Sequence, residues 1–138
     1  AHKRTDRAAI AASMAWVREL FPILSERRHQ LAGNLSGGEQ QMCALARALM
    51  AAPRLLMIDE MSLGLAPVIV DKLLAVLEEV RRKEVAIFLV EQDVFAAFSV
   101  ADRAYVMETG SIVTAGPARD LSQDPAVRAA YLGVESGS

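Results

Sequence analysis

The chain has 138 residues, enough for one domain with a core of its own. Its 53% hydrophobic content and mean hydropathy of +0.25 are high for a domain of that size. Stretches without a charged side chain nevertheless reach only about ten residues, short of the ~18 that suggest a membrane span. A net charge of −2 gives no support for a nucleic-acid surface, and a single cysteine excludes an internal disulfide framework and fits a reducing cytosol. Ala1-His2-Lys3-Arg4 leads into a helical pattern rather than the apolar core of a signal peptide. The surplus apolar content calls for burial against something further: the missing half of a larger domain, a partner subunit, or both.

Residues 5–21 read as a helix, with Ile10, Met14, Val17 and Phe21 on one apolar face and a break at Pro22. Arg27 to Asn34 is polar and reads as a linker. Ser36 and Glu39 fit an S-x-x-E capping box, opening a helix to about Met50 that buries Met42, Leu45, Ala46 and Leu49. Cys43 lies within it and reads as a packed thiol. Pro53 separates this helix from an apolar strand, Leu55–Asp59. A further helix starts near Pro67. It runs through Val70, Leu73, Leu74, Leu77 and Val80 to Arg81–Lys83, whose charges suit the negative end of its dipole. A strand at Ala86–Val90 and a short helix around Val94–Ala101 follow. Strands Ala104–Glu108 and Ser111–Ala115 join around Thr109-Gly110. A last helix begins at Asp124-Pro125 and passes through Val127, Ala130 and Tyr131, with a frayed tail at Glu135–Ser138. Strands alternating with helices, apolar throughout, predict a parallel sheet covered on both faces. Ligands of such sheets bind beyond the carboxyl ends of the strands, where Asp59-Glu60 and Glu91-Gln92 fall.

Two carboxylates at the tip of a buried strand suit a magnesium–phosphate site. An acidic turn after a strand would look the same in isolation. Ser36, Gly37 and Gly38 open a helix whose free amides and dipole suit an anion, and glycines let a phosphate approach the backbone. A capped helix start without a ligand is the alternative, and both can hold. His2 and His29 fall outside this region and make no metal-ligand cluster.

Leu35-Ser36-Gly37-Gly38-Glu39-Gln40-Gln41 resembles the signature loop of ATP-binding cassette (ABC) ATPases, and Leu55-Leu56-Met57-Ile58-Asp59-Glu60 resembles their Walker B strand. The resemblance implies a P-loop NTPase-like α/β fold with a mostly parallel sheet flanked by helices. It is incomplete here, with residues 1–35 from the helical subdomain and 36–138 from the C-terminal part of the core. It implies ATP and Mg2+ as cofactors of the intact protein, bound between two head-to-tail ATPase subunits. Asp59 would take the metal side, through a water. Glu60 would be the general base that orients and deprotonates the attacking water. Gln92 stands at the switch-histidine position; it can hydrogen-bond a phosphate or a water but cannot titrate. Ser36, Gly37 and Gly38 would contact the γ-phosphate of ATP held by the opposite subunit. Leu63-Gly64-Leu65-Ala66 stands at the D-loop, with Ala66 for the usual aspartate and Met61 for a usual proline. An ordinary strand-to-helix connection is the alternative there.

No G-x-x-x-x-G-K followed by Ser or Thr occurs, because none of the eight glycines precedes a lysine. The isolated chain is therefore expected to bind MgATP weakly or not at all, and to oligomerise, exchange strands or aggregate. Leu31-Ala32-Gly33, Ser62–Pro67, Val90-Glu91-Gln92, Ala101–Val106 and Ala130-Tyr131-Leu132-Gly133 resemble the ATP-binding subunits of branched-chain amino acid importers. That branch implies membrane permease subunits as partners, no nucleic acid, and a cytoplasmic location at the inner face of the cell membrane. Two other readings stay open: a non-catalytic module that supplies a signature loop in trans, and an ABC ATPase outside transport.

Overall fold

The computed structural model describes residues 6–131. His2, Leu132-Gly133 and the tail at Glu135–Ser138 lie outside the described residues. Helix α1 (Arg7–Leu20) starts where Asp6 caps it, its carboxylate accepting from the amides of Ala8 at 3.0 Å and Ala9 at 3.3 Å. Of the predicted apolar face, Val17 and Phe21 are buried, whereas Met14 is 38% exposed and Trp16 and Leu20 pack on the core instead. Pro22 ends α1 as expected, but the chain re-enters a helix at once in α2 (Pro22–Glu26), with proline in the first turn. The polar linker contains a 3₁₀ turn at Ala32–Asn34.

Helix α3 (Gly37–Leu49) begins with both halves of the capping box formed and buries Met42, Leu45, Ala46 and Leu49 as the spacing predicts. Cys43 is half-buried on its flank rather than packed inside. Strand β1 (Leu55–Asp59) leads through a turn into α4 (Pro67–Arg82), which buries Val70, Leu73, Val76, Leu77 and Val80. Strand β2 (Ala86–Val90) runs parallel to β1 in the register Leu55↔Ala86 to Asp59↔Val90. Helix α5 (Val94–Val100) follows, capped by Asp93.

Strands β3 (Arg103–Glu108) and β4 (Ser111–Pro117) form a separate antiparallel hairpin. Its two-residue turn places Thr109 at φ 48° and Gly110 at φ 79°, the paired positive angles that match the twist of hairpin strands. A register shift after Val106 lets β4 run longer than the pattern predicts. Two short helices close the described chain: α6 (Ala118–Leu121), which the periodicity did not signal, and α7 (Pro125–Tyr131). Asp124 caps α7 through the Ala126 amide at 2.8 Å, and the Tyr131 hydroxyl donates to Glu108 at 2.7 Å.

One core joins Val17, Phe21, Met42, Leu45, Leu49, Leu56, Met61, Leu73, Leu77 and Val80, so α1, α3 and α4 cover one face of the parallel pair. Leu56, Ile58, Ile87 and Leu89 point into it. The opposite face, with Leu55, Met57, Phe88 and Val90, is exposed among the described residues. The expectation of a sheet covered on both faces is thus corrected: alternate residues of these strands are apolar on both sides, but the helices α1, α3 and α4 that pack on them lie on one.

Candidate functional site at the strand tips

Strands β1 and β2 end side by side, and their parallel register sets the site. Asp59 is the last residue of β1 and is exposed. Glu60 leaves the strand at φ 47°, a left-handed angle uncommon for a residue with a side chain. Its amide donates to the Val90 carbonyl at 2.8 Å, which extends the inter-strand ladder by one bond. Gln92, two residues past Val90, donates from Nε2 to Glu60 Oε1 at 2.6 Å. The predicted Glu60 and Gln92 therefore meet directly, with Asp59 beside them. An exposed carboxylate at a strand tip is the hard oxygen donor that Mg2+ takes one or two at a time, with waters and phosphates completing its shell. Among the described residues no group of three or more His, Cys, Asp or Glu could hold a metal by itself.

Beyond Glu60 the chain is anchored. Met61 is 1% exposed and belongs to the core, so this departure from the family pattern serves packing. Its carbonyl accepts from Gln41 Nε2 of α3 at 3.5 Å. Ser62 donates to the Glu91 carboxylate twice, from its amide to Oε1 at 2.9 Å and from Oγ to Oε2 at 2.6 Å. Gly64 holds φ 72° in the turn before α4. Ala66 precedes α4 without a side-chain cap.

The signature-like segment sits apart from this cluster. Among the described residues no hydrogen bond joins Ser36, Gly37 or Gly38 to Asp59, Glu60 or Gln92; the segment packs on the start of α4 instead. A Cβ on Gly37 would lie 3.7 Å from Leu65, and one on Gly38 would come within 2.7 Å of Ile69 Cγ2. Gly38 thus has a packing reason of its own to be glycine. The Ser36 amide donates to Glu39 Oε2 at 2.8 Å, and the Glu39 amide donates to Ser36 Oγ at 3.3 Å. The Ser36 backbone amide, then the Ser36 side chain, hold the Glu39 carboxyl below the usual carboxylate range, with a smaller pull from Arg27 and a partly opposing effect of burial. Sequence reading named Ser62, Glu91 and Gln41 only as members of motifs and missed the Ser62–Glu91 and Gln41–Met61 bonds. Ser62 and Glu91 are 29 positions apart, and only the strand register brings them together.

Residues 2–62 match the ABC transporter family. The high-affinity branched-chain amino acid transport ATP-binding protein BraG of Pseudomonas aeruginosa is 51% identical over 129 residues, covering 94% of this chain and 55% of BraG. BraF of the same organism, of the same description, is 33% identical over 134 residues, covering 96% of this chain and 52% of BraF. A crystal structure of the ADP conformation of MJ1267, an ATP-binding cassette of an ABC transporter, superposes with a TM-score of 0.76 at 25% identity. The match covers 94% of this chain and 52% of that one. The chain spans about half the length of the curated relatives it matches. The parallel strand pair with its carboxylates and the capped signature-like helix stand beside these likenesses, and over nearly its whole length the chain is similar to ABC transporter ATP-binding proteins.

Proposed function

We propose that this chain is the C-terminal portion of the ATP-hydrolysing subunit of an importer for branched-chain amino acids. The single observation that carries the reading is the 51% identity to BraG along 94% of the chain. The strand-tip geometry agrees with it. Glu60 is the general base for the attacking water, and its half-buried carboxylate is oriented by the Gln92 amide 2.6 Å away. Asp59 would hold the magnesium ion, through a water. Mg2+ bound there would neutralise charge on the phosphates, as metal ions do in phosphoryl transfer. Ser36, Gly37 and Gly38 meet the γ-phosphate held by a second ATPase subunit, and the Ser36 hydroxyl exchanges its cap for that contact as the two close.

Residues 1–35 belong to the helical subdomain and residues 36–138 to the catalytic core. The loop that cradles the phosphates lies in the part of the relatives that this chain does not span. The 138-residue chain alone then binds MgATP weakly or not at all. No helix among the described residues is long and apolar enough to cross a membrane. The complete subunit works at the inner face of the cell membrane against permease subunits, which choose the amino acid.

The test is ATP hydrolysis and leucine uptake by the complete subunit, assembled with its permease subunits in membrane vesicles. Glu60→Gln should lower the hydrolysis rate about 10²- to 10⁴-fold, the usual contribution of a general base, while MgATP still binds. A Glu60→Gln assembly that hydrolyses ATP at the parent rate would remove Glu60 from catalysis. Uptake of solutes other than leucine, isoleucine and valine would overturn the substrate class.

A further inference from the structure

We infer that Glu91 is a positioning residue, which holds the Glu60–Gln92 pair in register by clamping Ser62. The inference rests on the proposed ATPase reading and adds to it a residue that acts through Ser62. Glu60 is half-buried and Gln92 exposed, and a single bond between two partly solvated side chains orients them weakly on its own. Their backbones must therefore be fixed by other means. On one side of the pair, the Glu60 amide is tied to the Val90 carbonyl at 2.8 Å. On the other, both oxygens of the Glu91 carboxylate are taken by Ser62, at 2.9 Å from its amide and 2.6 Å from its hydroxyl. Glu91 precedes Gln92, and Ser62 follows Glu60 by two. The two clamps thus hold Glu60 and Ser62 on one segment and the two residues just before Gln92 on the other, beside the 2.6 Å contact.

The turn that the clamp holds is one that would relax without it, because Glu60 sits at φ 47°. A charged acceptor that receives two donors is the stronger kind of hydrogen bond and also fixes direction. Both partners are half-buried, so water competes less for them than for Gln92. The residue between Glu60 and Ser62 is the buried Met61, whose carbonyl accepts from Gln41 of α3, the helix that the signature-like segment opens. The clamp therefore fastens the catalytic turn to the end of β2, and that helix touches the same turn.

The experiment measures kcat and KM for ATP in the complete subunit assembled with its permease subunits. The variants are Ser62→Ala, Ser62→Thr, Glu91→Gln, the Glu91→Gln/Ser62→Ala pair, and Glu60→Gln. Ser62→Ala removes the hydroxyl donor. Glu91→Gln turns an acceptor oxygen into a donor that faces one of Ser62's donors. Each is expected to lower kcat about 10- to 100-fold, as a displaced reacting group does, with KM for ATP within about twofold of the parent. The double variant should be no slower than the slower single one, because both remove one interaction. Ser62→Thr, which keeps the hydroxyl, should restore most of the rate. Parent kcat in Ser62→Ala and Glu91→Gln beside a dead Glu60→Gln overturns the clamp and leaves the ATPase reading standing. Additive losses, or no recovery in Ser62→Thr, also overturn it. An inactive parent assembly, or a Glu60→Gln as fast as the parent, overturns the reading itself and the clamp with it. Should Glu91→Gln or Ser62→Ala be recovered only unfolded, hydrogen exchange at the Ser62 amide of the parent decides. Protection equal to that of the β1 amides supports the clamp, and exchange at the rate of a free loop amide overturns it.

Discussion

The two faces of the parallel strand pair carry the same kinds of residue and have opposite fates. Leu56, Ile58, Ile87 and Leu89 pack against α1, α3 and α4, and Leu56 is 4% exposed. Leu55, Met57, Phe88 and Val90, their immediate neighbours in the chain, look outward, with Met57 at 69% and Phe88 at 52%. The register pairs Met57 with Phe88, so the open side is a continuous apolar patch rather than scattered side chains. A strand that is apolar at every position reports that both faces are meant to be covered. It does not report by what. The covered face holds the domain together and aims the strand tips; the open face is where further structure belongs, whether the remainder of a cassette or another chain.

That contrast can be broken or sharpened by substitution. The largest effect is expected on the covered face: Leu56→Ala should destabilise the chain by about 2–5 kcal/mol in urea unfolding. Met57→Ala, one residue along on the open face, should stay within about 0.5 kcal/mol. Equal losses at the two positions would erase the distinction.

Gly38→Ala comes next, at about 1–3 kcal/mol, because the added Cβ meets Ile69 Cγ2 at 2.7 Å. Ile69→Ala in the same chain should recover the loss; a Gly38→Ala chain as stable as the parent would mean that α3 and α4 slide freely.

Glu39→Ala should lower stability by opening the capping box. The sign of its pH dependence follows from the lowered carboxyl. A group whose folded value lies below its ordinary 4.5 stabilises the fold above that value and loses its contribution as pH falls through the folded one. In acid titrations the parent should therefore lose stability over that window and Glu39→Ala should lose less; identical acid limbs would show that the cap is not formed.

The smallest effect on stability, and the clearest on association, is expected from Phe88→Ser. It should leave the unfolding midpoint nearly unchanged and shift sedimentation of the 138-residue chain toward monomer. A parent chain that is already a clean monomer would show that the open face needs no cover.

Much of this was legible from local pattern. The break at Pro22, the Ser36–Glu39 box, the buried row Met42, Leu45, Ala46 and Leu49, and the Thr109-Gly110 hairpin each depend on residues a few positions apart, where spacing and backbone preference decide. The short helices α2 and α6 were not legible. Four or five residues are too few to show a period, and each forms where a neighbour receives it, as Leu121 of α6 lies against Gly116.

For the site, the identities of Asp59, Glu60 and Gln92 and their place at strand ends came from sequence, because an apolar run that stops at charged residues marks the end of a buried strand. That Gln92 reaches Glu60, that Ser62 and Glu91 interlock, that Gly38 meets Ile69 and that one sheet face stays open were decided only in three dimensions. Each joins residues some 30 positions apart, or turns on which helices are present to cover a strand. The periodicity of a chain tells which side chains seek cover, but strand register and packing choose their partners.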